Sequence, residues 1–136
     1  DADERNLIQD AADGTAAQEF RISYDTDRNA YRLYTMCSSG GTNRVVDIVK
    51  LGGSVVSGCN AEIYRPVDAP AQTFVLVPQA DGTMLFSCST NRSACLSVWN
   101  TDTGTQGKMG FYDAGNVVIR NDIGDDLQRW ILEPVE

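Results

Sequence analysis

Gln18, Gln72 and Gln128 each stand two residues before an aromatic, Phe20, Phe74 and Trp130. A glutamine amide offers two N–H donors and a carbonyl acceptor, so it can hold a polar ligand or tie together the backbone of turns. Three copies in one chain favour the second use, and the glutamines are assigned to folding. Other chemistry is restricted by what is missing. The chain has no histidine, which removes histidine-based triads, most zinc sites and the commonest general base. Carboxylates are plentiful, and an Asp/Glu pair can in principle hydrolyse a glycosidic bond. Asp102, Asp113, Asp122, Asp125 and Asp126, however, fall in stretches with loop composition, as solvating residues do. Their spacing matches no EF-hand, so neither catalysis nor calcium binding is expected, and no cofactor is implied.

The formal charge is −8, from 11 basic and 19 acidic residues. Nucleic acid and anionic membrane surfaces call for basic patches, so neither is an expected partner. No apolar run approaches the roughly 20 residues of a membrane-spanning helix. The opening Asp1-Ala2-Asp3-Glu4-Arg5 lacks the pattern of a secretory signal, which fits a mature product or an excised domain. Four cysteines, Cys37, Cys59, Cys88 and Cys95, contain no C-x-x-C pair. Their even number in a chain of this type favours two disulfides and a secreted protein.

The elements that must position these residues are short strands. Candidates are Tyr31–Cys37, Arg44–Leu51, Ala61–Arg65, Thr73–Val77, Thr83–Ser87, Cys95–Trp99, Met109–Tyr112, Val117–Arg120 and Arg129–Leu132. Each is rich in β-branched or aromatic residues and bounded by Gly, Asn, Asp or Ser. Only Asp10–Gln18 has helix-forming composition, and Gly14 and Thr15 interrupt it. The glutamine repeat extends upstream: Asn6, Asn60 and Asn116 each precede their glutamine by twelve residues. Arg32–Ser38 also resembles Thr83–Ser89, and Arg44–Val49 resembles Ala94–Trp99. The chain thus divides into a partial unit at 1–22 and two four-strand units of 55 residues, 23–77 and 78–132. Within each unit the glutamine and its aromatic, two apart on a strand, are expected to share a face, with the aromatic in the core.

Three Gln-x-aromatic repeats, each preceded by a strand and an asparagine, resemble the ricin-type β-trefoil lectins, the family 13 carbohydrate-binding modules. The resemblance covers nearly the whole chain and implies an all-β, β-trefoil fold with pseudo-threefold repeats. The first repeat is incomplete: about 33 residues of it, two strands, have no counterpart in 1–22. They are expected upstream in a longer precursor, on another chain, or replaced from elsewhere; a less symmetric β-barrel is the alternative fold.

The resemblance also implies where a sugar would sit. Asp47 matches the family's carboxylate, Tyr64 its stacking aromatic, and Glu62 a position often held by glutamine. Asn43 and Gln72 complete the candidate carbohydrate-binding set. Departures limit it: Ala71 stands where binding units often have asparagine. In the last unit Ser97 replaces the aspartate and Arg120 the aromatic, and in the first Asp10 holds the aromatic position. One family-like site is therefore implied, in the middle unit, taking glycans of galactose type. The stretch Asn100–Tyr112 is a candidate for a different surface. Among three possible disulfide connectivities, Cys88–Cys95 and Cys37–Cys59 are favoured, because a threefold fold separates the matching positions Cys37 and Cys88. The function expected is a lectin-like module, such as the targeting part of a larger secreted toxin or enzyme. The alternative is a protein-interaction scaffold with degenerate sugar sites, joined to or completed by another polypeptide.

Overall fold

In the computed structural model, residues 5–7, 11, 13–39, 42–99, 106–107, 110–111 and 115–134 are described. They form an all-β structure of eleven strands. These are β1 (Arg5–Asn6), β2 (Phe20–Asp25), β3 (Ala30–Ser39), β4 (Thr42–Ile48), β5 (Ala61–Tyr64), β6 (Phe74–Pro78), β7 (Met84–Cys88), β8 (Asn91–Val98), β9 (Gln106–Gly107), β10 (Gly110–Phe111) and β11 (Val117–Asn121). Asp10, Asp102, Asp113, Tyr112 and the segment 100–105 lie outside the described residues, and so does most of the Asn100–Tyr112 surface.

The repeat is visible in the pairing. Hairpins β3–β4 and β7–β8 each shift register near their tips, between Tyr34 and Ser38 and between Ser87 and Cys88. The third strands, β1, β5 and β11, meet around a common axis. Leu7 N–H donates to Ala61 O (3.3 Å), and Val117 N–H donates to Leu7 O (2.9 Å). Asn116 Nδ2 donates to Asn60 Oδ1 (2.7 Å), so two of the repeated asparagines are joined directly. These strands form where β-branched residues run between turn residues. At Asp81-Gly82-Thr83 the Asp81 carboxylate accepts from Thr83 N–H, and Gly82 takes the left-handed conformation (φ +89°) that suits glycine.

The repeated glutamines close the turns that lead into the fourth strands. Gln72 Oε1 accepts from Val67 N–H (2.9 Å) and its Nε2 donates to Arg65 O (3.0 Å). Gln128 repeats this with Ile123 N–H (3.0 Å) and Asn121 O (2.8 Å). Gln18 does so with Asp13 N–H (2.6 Å) and Ala11 O (2.7 Å). In every copy the donor lies five residues back and the acceptor seven. One detail differs from expectation: each glutamine ends a short 3₁₀ turn (Ala16–Gln18, Pro70–Gln72, Asp126–Gln128) and the strand begins after it. The amide reaches back into its own loop because the turn has not yet become a strand. Among the described residues of the expected helical stretch Asp10–Gln18, the helical structure is that 3₁₀ turn.

The aromatics do not share one fate. Phe74 is 0% exposed in a core that includes Leu33, Val46, Ile48, Phe86 and Leu96, and Trp130 packs partly against it. Phe20 is 40% exposed. The reason lies in its neighbours. Phe74 on β6 is flanked by β3 and β7, whereas β2 pairs with β3 alone among the described residues. The expected strand at Arg129–Leu132 is reduced to one bridge, Met84↔Trp130. Between β2 and this segment opens a cleft of about 560 Å³, walled by Phe20, Ile22, Trp130 and Leu132 and floored by Leu33 and Phe86.

The expected disulfides are not formed; all four cysteines are free. Cys88 packs beside Phe86, Ala94 and Leu96 in the core. Cys95, paired with Ser87, sits on the opposite face of its strand, with Sγ 3.6 Å from Arg120 O. Successive strand positions alternate faces, so the two sulfurs point apart. Cys59 Sγ lies against Ser54 O (3.8 Å) rather than Cys37. Burial pushes the Cys88 thiol up to about 12, helped by the neighbouring Cys95 and Cys59, and the Cys95 thiol up to about 11. Both stay protonated at neutral pH and are poor nucleophiles.

Candidate functional site

Strands β4 and β5 run antiparallel with Asp47 opposite Glu62 and Val45 opposite Tyr64. Alternation sends Val46, Ile48 and Ala61 into the core. Asp47, Glu62 and Tyr64 therefore share the other face, the two carboxyl side chains directly across from one another. Burial raises the Asp47 carboxyl above its ordinary value. A hydrogen bond with Glu62, the charge of Lys50 and the Gln72 amide pull it partway back.

Gln72 is fully buried, and its amide is committed to Val67, Arg65 and Arg32 within the protein. It stands behind Asp47 and fixes it rather than presenting a surface to ligand, which corrects its assignment as a contact residue. Asn43 also falls outside the group. It lies four residues along β4 from Asp47, about 13 Å at strand spacing, and its Nδ2 donates to Thr35 O (2.5 Å). Tyr64 is half-buried, and the Arg65 guanidinium lies 4.7 Å from its ring centroid. A ligand stacking on Tyr64 uses the other ring face or displaces Arg65.

The loop that roofs this face is braced from β3 and the turn before it. Arg32 donates to Gln72 Oε1 (3.0 Å) and Val67 O (2.9 Å) while pairing with Asp25 (3.2 Å). Arg28 clamps Asp68 through its carboxylate (2.6 Å) and carbonyl (3.2 Å). Nothing in the sequence marked Arg32, a single cation in an apolar strand; the only signal is its place on the face opposite Leu33. Beside the roof, a cleft of about 480 Å³ is lined by Lys50, Ser54, Val55, Pro70, Ala71 and Asn91.

The last unit repeats the scaffold without the acid. Ser97 is 0% exposed and its Oγ accepts from Gln128 Nε2 (3.2 Å), the relation Asp47 has to Gln72. Arg120 leans over the Trp99 ring at 5.8 Å. Asp125 accepts from Leu127 N–H, and Asp122 from Gly124 N–H and Arg129, so both serve their loop.

Asp47 gives a test of its own. Its folded-state pKa is raised, so the folded protein holds this proton more firmly than the unfolded chain. The contribution to stability is then most favourable below the ordinary value of 3.8 and is lost as pH rises through the raised value. Asp47→Asn is expected to raise the melting temperature at neutral pH, with the gain vanishing below pH 3.8. Thermal melts at both pH values check it, and a loss at neutral pH would show that the carboxylate supports the fold.

The comparisons bear on the scaffold. The designed threefold symmetric protein ThreeFoil matches with a TM-score of 0.77 and 25% identity, over 98% of this chain and 84% of its own. The fold is a β-trefoil. A mosquitocidal holotoxin matches with a TM-score of 0.74 and 17% identity; this chain is covered in full and spans 15% of the holotoxin chain. No protein-family model matches the chain, and no curated protein does.

Proposed function

We propose that this β-trefoil is a carbohydrate-binding module, lectin-like, whose single sugar site is the Asp47–Glu62–Tyr64 face in the middle repeat. The observation that carries the reading is the opposed carboxyl pair beside an aromatic ring, with Asp47 kept on this face although burial raises its carboxyl above the ordinary value. Groups kept where they cost stability mark functional sites. Paired carboxylates accept from neighbouring sugar hydroxyls, and a tyrosine ring covers the apolar face of a pyranose. Galactose-type sugars, free or on glycoproteins, are the expected ligands. The role is binding rather than catalysis. Export, as the targeting part of a larger toxin or enzyme, belongs to the same proposal. It is supported by the holotoxin likeness and no longer by the cysteines.

Two carboxyl groups and one ring offer few contacts, so a dissociation constant on the order of 1 mM is expected, about −4 kcal/mol. Titration calorimetry with a methyl galactoside should show it. Asp47→Asn should weaken it at least about tenfold, roughly 1.4 kcal/mol, in a protein that melts no lower. Saturating heats unchanged by that substitution would sink the site, and no heat at tens of millimolar would sink the function. Binding should also fade as acid protonates Asp47, beginning above pH 3.8 because its value is raised. A protein-binding role is favoured by one separate feature, the apolar cleft between β2 and 129–132.

A further inference from the structure

The middle and last units differ behind their glutamines. Two register relations fix which residues correspond. The bridge Tyr31↔Phe74 matches the bridge Met84↔Trp130. Arg32 lies opposite Ser23, three past Phe20, as Leu85 lies opposite Val77, three past Phe74. Arg32 in the middle unit therefore stands where Leu85 stands in the last, and both are buried, at 9% and 7% exposure. The acid changes in step with the cation. Asp47 lies opposite Glu62, and its counterpart opposite Val118 is Ser97.

Arg32 determines which way the Gln72 amide faces. A guanidinium only donates hydrogen bonds. Its Nη1 donates to Gln72 Oε1 (3.0 Å), where the Val67 N–H also arrives (2.9 Å). The amide oxygen is thus held on the Arg32 side, and the NH2 group is turned to the Arg65 carbonyl (3.0 Å) and to Asp47. The reversed amide would set donor against donor at Arg32 and oxygen against carboxylate at Asp47. An N–H on a carboxylate favours the ionised form and leaves its other lone pairs for a ligand. In the last unit Gln128 Nε2 makes the equivalent contact with the neutral Ser97 Oγ (3.2 Å), and Gln128 Oε1 accepts from Ile123 N–H (3.0 Å). Asp25 pairs with Arg32 (3.2 Å), so the buried cation is compensated.

We propose that Arg32 is a positioning residue of the sugar site. Acting through Gln72, it keeps an amide N–H on Asp47, so that the carboxylate meets a sugar in one fixed orientation with acceptor capacity to spare. The inference rests on the reading of the β4–β5 face as that site. It also gives the difference between the two units a second part: the acid and the cation behind it are present together in one and absent together in the other.

The groups facing Asp47 are Glu62 from β5, Gln72 with Arg32 behind it, and Lys50 past the end of β4. Asp25, on the far side of Arg32, titrates in a lower range. Burial pushes its carboxyl up, but bonds from the Arg28 N–H and Arg32 outweigh this and hold it below 3.8, whereas Asp47 lies above 3.8. NMR of the side-chain carboxyl carbons, with the Gln72 amide and the Arg32 guanidinium followed in the same samples, separates the two. In the unaltered protein both nitrogen groups are expected to shift with Asp47. In Arg32→Leu, which copies the last unit, the Asp47 midpoint should move up, and the dissociation constant for methyl galactoside at neutral pH should rise about tenfold. The same substitution should add no further loss of binding to Asp47→Asn. An Asp47 midpoint that stays in place in Arg32→Leu overturns the proposal, even if that variant melts lower. Nitrogen signals that stay flat while Asp47 titrates overturn it as well, and they decide the matter if Arg32→Leu fails to fold. The carboxyl titration needs no sugar, so a failure of galactoside to bind would sink the sugar reading while the link between Arg32 and Asp47 is still judged by the midpoint.

Discussion

Replacing Gln72 by leucine is expected to cost about 3–5 kcal/mol, enough to unfold a marginal domain. The substitution keeps the volume but leaves the Val67 N–H, the Arg65 carbonyl and one arm of Arg32 facing an apolar side chain at a position that is 0% exposed. Each unsatisfied buried group costs about 1–3 kcal/mol. Gln18→Leu removes the same two backbone contacts near the surface, where water replaces them, and should cost about 1 kcal/mol. Urea denaturation of the two variants measures the contrast. Equal losses would mean that burial of the glutamine itself does not set the cost.

The second large effect separates the repeated aromatics. Phe74→Ala opens a cavity in a fully enclosed part of the core and should cost about 3–5 kcal/mol. Phe20→Ala, at the same place in its repeat, should cost about 1 kcal/mol, because its ring is already in water for much of its surface. The ratio between the two is therefore a solution reading of how open the cleft beside β2 is. If Phe20→Ala proved as costly as Phe74→Ala, the cleft would be closed in the folded protein.

The threefold plan was legible in residues 6, 18 and 20 and their later counterparts, because a constant spacing repeats wherever the same turn and strand repeat. Most strands from Tyr31 onward were legible for the same reason, to within a few residues; β8 begins four residues before the expected Cys95, while Arg129–Leu132 holds only a bridge. What the residues could not reveal depends on neighbours far along the chain. Phe20 and Phe74 occupy the same local pattern, yet one is buried and one exposed, because burial is set by the strand on the far side. The opposition of Asp47 to Glu62 follows from the register of β4 on β5, and Arg32 earns its place only through the loop at 65–72 that it braces. The cysteines misled through parity: an even number fits disulfides, while strand alternation turns Cys88 and Cys95 to opposite faces.

In the candidate site, resemblance supplied Asp47, Glu62 and Tyr64, and the structure brings those three together on one face. It separates Asn43 by the length of a strand and turns Gln72 inward. The resemblance implied both as ligand contacts; geometry gives their amides to the protein.

The central claim is that one repeat alone carries a sugar site while the same scaffold in the last repeat does not. The most direct test is a titration of the labelled protein with methyl galactoside, followed by amide NMR shifts. The account predicts saturable shifts at Asp47, Glu62, Tyr64 and Arg65, with the amides of Ser97 and Arg120 unmoved. Shifts centred on Ser97 and Arg120, or none on the β4–β5 face at saturating sugar, would contradict it.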